Sequence, residues 1–212
     1  MPRFTDVTGL ASAVAAAAIV VLALPGVARL RRRHPALLLA TMAALALAPL
    51  GPLPAAAYVR GVLGDLSITS MVLLLRSLLR PVFRWGGIGA KNALAVEVLV
   101  TVGGLVLYPL ALGLDRFDAY RWGYGESGFM IALLLLAMAA WWQRLHLATS
   151  CIALAVLAYA VGGYESRNLW DYLLDPLVSA WGVSALLLRG ARLLYPARMA
   201  STGVRREARS AG

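Results

Sequence analysis

Two polar runs in this apolar chain hold residue types able to do chemistry. The first, from Asp115 to Gly128, reads Asp-Arg-Phe-Asp-Ala-Tyr-Arg-Trp-Gly-Tyr-Gly-Glu-Ser-Gly. Arginine presents a planar fork of donors suited to carboxylate or phosphate, so Arg116 and Arg121 are candidates for anion recognition. Asp118 is a candidate base, and Asp115 and Glu126 are candidate binding carboxylates. The glycines permit close backbone approach, and Trp122 adds an aromatic surface. The second run, from Tyr164 to Pro176, carries Glu165, Arg167, Trp170, Asp171 and Asp175. As a helix, it would put Asn168, Asp171 and Asp175 on one face at i, i+3, i+7. Leu169, Trp170, Leu173 and Leu174 would line the other, with Ser166 as cap and Pro176 opening the next helix. A thirteenth-hour question is posed by Asp65, an acid inside an apolar stretch, where ionisable groups are a functional hypothesis by default. It lies within reach of Arg60, Arg116 or Arg121, and it shares the i, i+4, i+7, i+11 face of Thr69, Val72 and Arg76.

The expected binding set is therefore Asp65, Asp115, Arg116, Asp118, Arg121, Trp122, Glu126, Glu165, Arg167, Trp170, Asp171 and Asp175. Two readings of it stay open: the loops pair with each other, Arg with Asp, and lid the chain, or they hold an anionic ligand. No catalytic residue, metal or cofactor is assigned. Cys151 is the only cysteine, which excludes an intramolecular disulfide and a Cys-x-x-Cys site. His34 and His146 fall on the side opposite the acids, which disfavours a histidine zinc site there. The acids match no dedicated calcium loop. Gly125-Glu126-Ser127-Gly128 resembles the Gly-x-Ser-Gly element of rhomboid proteases. That resemblance implies a later histidine packed on the serine, and His146 is expected at the far end of its helix. The last apolar segment has no lysine for a retinal Schiff base. Size and topology are similar to those of bacterial glycerol-phosphate acyltransferases, whose glycine-asparagine loops are missing here.

The elements that must position these residues are membrane helices. Of 212 residues, 61% are hydrophobic and 14% charged, against about 45–50% and 25% in soluble domains. Seven apolar stretches stand out: 8–28, 35–58, 61–79, 93–114, 128–142, 147–163 and 176–194. Only helices satisfy the backbone in hydrocarbon without closing a barrel, so the expected fold is all-α, with about seven transmembrane helices. The short fifth and sixth stretches would alternatively form a re-entrant hairpin. Pro49, Pro52 and Pro54 are expected to kink or end the second helix. Gly103, Gly104, Gly162, Gly163 and Gly182 are expected to let helices approach. Residues 1–194 form one bundle, and 195–212 a basic disordered tail.

Charge sorts with this alternation. Fifteen of the twenty basic residues fall on one side, including Arg29, Arg31, Arg32, Arg33, Arg76, Arg80, Arg84 and Lys91, and eight of the ten acids on the other. The positive-inside rule then puts the N-terminus outside and the C-terminus inside. It also accounts for the +10 charge without nucleic acid. With only Arg3 before the first stretch, that segment reads as a retained helix rather than a cleaved signal. Glu97 is expected to pair with Arg76 or Arg80. Arginine in place of lysine, with abundant alanine and leucine, suits a GC-rich bacterial genome. These readings converge on a multi-pass inner-membrane protein of the cell envelope. It would be an accessory or scaffold subunit, with the bilayer and a membrane or periplasmic protein as partners. An outer-leaflet enzyme acting on a lipid-linked or phosphorylated substrate, with Asp65 or Asp118 as base, is the alternative. A solute transporter using Asp65 is the third.

Overall fold

A computed structural model describes residues 4–22, 27, 33–112 and 118–194. Among them are nine α-helices: α1 (Phe4–Leu22), α2 (Pro35–Leu47), α3 (Ala55–Leu63), α4 (Ile68–Phe83), α5 (Ala90–Ala111), α6 (Ser127–Trp142), α7 (His146–Ala160), α8 (Leu169–Leu173) and α9 (Pro176–Leu194). Two are long and apolar enough to cross a membrane: α5, with mean hydropathy 2.0, and α9, with 1.4. Only 33% and 17% of those stretches are buried, unlike the core helix of a soluble protein. Leu105, Leu134, Leu135, Met138, Leu157 and Leu187 all point outward from α5, α6, α7 and α9.

The second apolar stretch is not one helix. α2 stops at Leu47, and Pro49 and Leu50 pair antiparallel with Pro54 and Leu53 as the two-residue strands β1 (Pro49–Leu50) and β2 (Leu53–Pro54). Proline interrupts the helical hydrogen-bond ladder, and Gly51 supplies the left-handed turn at φ +73°. The third stretch is also divided. α3 ends at Gly64, φ +71°, whose N–H donates to the Arg60 carbonyl at 2.8 Å. α4 restarts behind Ser67, whose hydroxyl accepts from the Ser70 N–H. Asp65 thus lies on the extended link between two helices and is off the Thr69–Arg76 face. α6 and α7 are 16 and 15 residues long, or about 24 and 22 Å.

Two apolar clusters share α4 as a wall. The larger joins α5, α6, α7, α8 and α9 around Val100, Ile152, Ala155 and Leu169. The smaller joins Ala15, Ala18 and Leu78 with Leu38, Met42 and Met71. α5 and α9 run antiparallel and close. A Cβ on Gly104 would lie 2.7 Å from Ser179 Oγ, and one on Gly182 would lie 2.5 Å from Val100 Cγ2. Gly103 makes room instead for Leu174, in the link between α8 and α9. Gly162 does neither: it is the left-handed residue, φ +66°, that follows α7.

The bundle has two distinct ends. One gathers the starts of α4 and α9, the short α8 and a 3₁₀ turn, Ala119–Gly123. The other holds the start of α5 and the α6–α7 turn. There Asn92 Oδ1 accepts from the Leu147 N–H at 3.1 Å, and its Nδ2 donates to the Arg144 carbonyl at 3.3 Å.

Candidate functional site

Asp175 organises the first end. Its Oδ1 accepts from the Val178 N–H at 2.9 Å, which caps α9. Its Oδ2 accepts from the Ser67 N–H at 2.9 Å, from the Ser67 hydroxyl at 2.7 Å and from the Ser70 hydroxyl. One buried carboxylate thereby serves the N-termini of two helices, where it also meets the positive ends of both macrodipoles. A serine such as Ser67 just ahead of an apolar run is an N-cap signal legible in the sequence. Its partner, 108 residues away, is not. Beside it, the Tyr164 hydroxyl donates to the Leu66 carbonyl at 2.6 Å. Burial, then the nearby Asp65 and Asp175, raises the Tyr164 hydroxyl above its ordinary pKa.

The two polar runs do meet. The Tyr120 hydroxyl donates to Asp171 at 3.0 Å, Asn168 Nδ2 donates to the Tyr120 carbonyl at 2.8 Å, and Trp170 Nε1 donates to the Ala119 carbonyl at 2.9 Å. Gly123 is required here because a Cβ would overlap the Asn168 side-chain amide. Ser166 also donates to Asp171. Burial first, and then the bond to Asp171, holds the Tyr120 hydroxyl well above its usual pKa. Underneath, Trp170 packs on Phe129 with ring centroids 4.5 Å apart, and Tyr164 stacks on Tyr172 at 5.0 Å.

This lid differs from the first of the two readings. Among the described residues, tyrosine, asparagine and tryptophan join the runs rather than arginine–aspartate bridges. A buried Trp or Tyr carries a polar handle that must find a partner, and backbone carbonyls of the facing turn provide it. Asn168, rather than Ser166, caps α8, its side chain accepting from the Trp170 N–H. Because α8 ends at Leu173, Asp175 leaves the Asn168–Asp171 face and turns to α4.

The remaining candidates divide. Asp65 makes a two-pronged bond to Arg60, at 2.6 and 3.0 Å, and α1 crosses directly over the pair at Gly9. Asp118 accepts from the Tyr120 N–H at 3.0 Å, and Glu126 caps α6 by accepting from the Phe129 N–H at 2.9 Å. Arg121, Glu165 and Arg167 are exposed and make no ion pair among the described residues. Trp122 and Tyr124 stand at the same rim. Asp115, Arg116 and the tail from 195 lie outside the described residues.

At the other end, Glu97 pairs with Arg189 rather than with Arg76 or Arg80, Oε1 lying 2.8 Å from Nη2. The tight α5–α9 contact puts α9, not α4, beside Glu97. Ser127 and His146 sit at opposite ends of the α6–α7 hairpin, so no serine–histidine pair forms. No group of three metal-ligating side chains occurs among the described residues. The described residues thus define a mostly helical protein with two helices long and apolar enough to cross a membrane and a hydrogen-bonded polar lid at one end. No protein-family model, curated protein or solved structure matches the chain.

Proposed function

We propose that this chain is a seven-crossing bacterial inner-membrane protein, N-terminus outside and C-terminus inside, working as an accessory or scaffold subunit. The Asp175 end faces outward and the Glu97 end faces the cytosol, in keeping with the sorting of acids and arginines. α3 and α8 lie at the outer level. The rim of Arg121, Trp122, Tyr124, Glu165 and Arg167 engages a membrane or periplasmic partner.

One observation carries the choice of a scaffold over an enzyme. Of the outer carboxylates whose side chains are described, Asp65, Asp118, Glu126, Asp171 and Asp175 each accept hydrogen bonds from the protein itself. These bonds give the carboxylates structural roles as helix and turn caps, an ion pair and the lid joint, and Glu165, the remaining one, is a solvated rim residue. The same engagement argues against Asp65 as a transported-ion site.

A photocrosslinking residue at Tyr124, followed by purification in mild detergent, tests this reading. A discrete envelope protein captured at that position, and lost with Arg121→Glu and Arg167→Glu, is expected. A monodisperse monomer with no captured partner would overturn the scaffold role.

A further inference from the structure

α5 and α6 hardly touch each other, and the space between them is an apolar groove floored by α7. Two cavities make it up, of about 390 and 430 Å³. They share Val98, Leu99, Leu136 and Ile152, so they adjoin in the groove that extends from Lys91 to Trp170. Along α5, from Lys91 to Val106, it runs about 22 Å. Small side chains at Ala95, Ala140 and Ala148 keep it open, and hydrocarbon gives helices no hydrophobic reason to close it. One alkyl chain of that length, about 4 Å across, fills roughly 300 Å³, well within the two cavities.

The mouth supplies the opposite chemistry. Lys91 Nζ donates to the Gln143 carbonyl at 3.2 Å, which draws it to the turn carrying Arg144. Arg144 is itself held in the left-handed region at φ +59°. Both cations are exposed, and neither has an ion-pair partner among the described residues. The described carboxylate of this end, Glu97, is bound to Arg189. Trp141 and Trp142, 63% and 88% exposed, flank the mouth as interfacial aromatics do.

We propose that the α5–α6 groove is a binding site for an anionic phospholipid of the cytosolic leaflet, with one acyl chain between the helices and the phosphate at Lys91 and Arg144. Basic sites between membrane helices on the cytosolic side favour such headgroups. This inference rests on the membrane reading above.

Its test is lipid retention by the full chain, purified in mild detergent from carbonate-washed membranes and examined by native mass spectrometry. About one anionic phospholipid per chain is expected. Lys91→Gln with Arg144→Gln should weaken retention roughly 30-fold, and Lys91→Arg should keep it. Ala95→Phe, which fills the groove and leaves both charges, should expel the lipid. Thermal shift of the wild type with added anionic against zwitterionic phospholipid gives a readout independent of whether the variants fold, and stabilisation by the anionic lipid alone is expected. Equal retention of zwitterionic lipid, a captured protein in its place, or membrane-extracted chain without lipid would each overturn the site. The last leaves the membrane reading standing, whereas recovery of the chain in the soluble fraction sinks both.

Discussion

Asp175 accepts hydrogen bonds from both the backbone N–H and the hydroxyl of Ser67, 108 residues earlier in the chain, at 2.9 and 2.7 Å. This contact ties the start of α9 to the start of α4 and so joins the two apolar clusters through their common wall. A carboxylate only 6% exposed is tolerable there because four donors and two helix termini surround it.

Removing that acceptor is expected to loosen the whole outer end. Asp175→Ala leaves the Ser67 and Ser70 donors buried without a partner and uncaps α9, which should destabilise the protein by roughly 3 kcal/mol. Asp175→Asn, which keeps an acceptor oxygen, should recover part of this. Melting in detergent measures both, and unchanged melting of Asp175→Ala would refute the joint.

Gly123→Ala should separate the lid from α8, because the added methyl displaces the Asn168 amide that bonds the Tyr120 carbonyl. Hydrogen exchange over 118–123 and 166–174 is expected to rise, with α5 and α9 unchanged. Protection preserved in the lid would mean that the two runs are held by something else.

Glu97 and Arg189 should behave as a unit. Arg189→Gln strands a buried carboxylate, so it is expected to lower the melting temperature more than the double variant with Glu97→Gln. Additive single effects in a double-mutant cycle would show that the pair is not coupled.

High pH should open the outer end. The Tyr120 and Tyr164 hydroxyls are held above their ordinary value of 10.0, chiefly by burial. The unfolded chain therefore releases those protons first, and the native state holds more of them. Their stabilisation is complete below pH about 10 and falls as pH rises beyond it. Tyrosinate absorbance and near-ultraviolet circular dichroism should change together and late. Tyrosines that ionise at their ordinary value with the dichroism intact would contradict this.

The apolar stretches, their helical character and the breaks signalled by Pro49, Pro52, Pro54 and Pro176 were legible in the sequence, because each depends on local backbone chemistry. So was the gathering of Asp118, Asp171 and Asp175 at one end, which follows from counting alternate connections. Which donor meets which acceptor was not. Counting crossings suggests partners at the same depth, and on that basis Glu97 points to Arg76 or Arg80, and Arg121 or Arg167 to an aspartate. The folded chain instead brings Glu97 to Arg189 and Asp175 to Ser67. The first of those choices follows from glycine contacts at Gly104 and Gly182, where the missing Cβ lets α5 and α9 close to van der Waals distance. Packing of that kind is a property of two surfaces fitted together, and only the tertiary structure brings them into register.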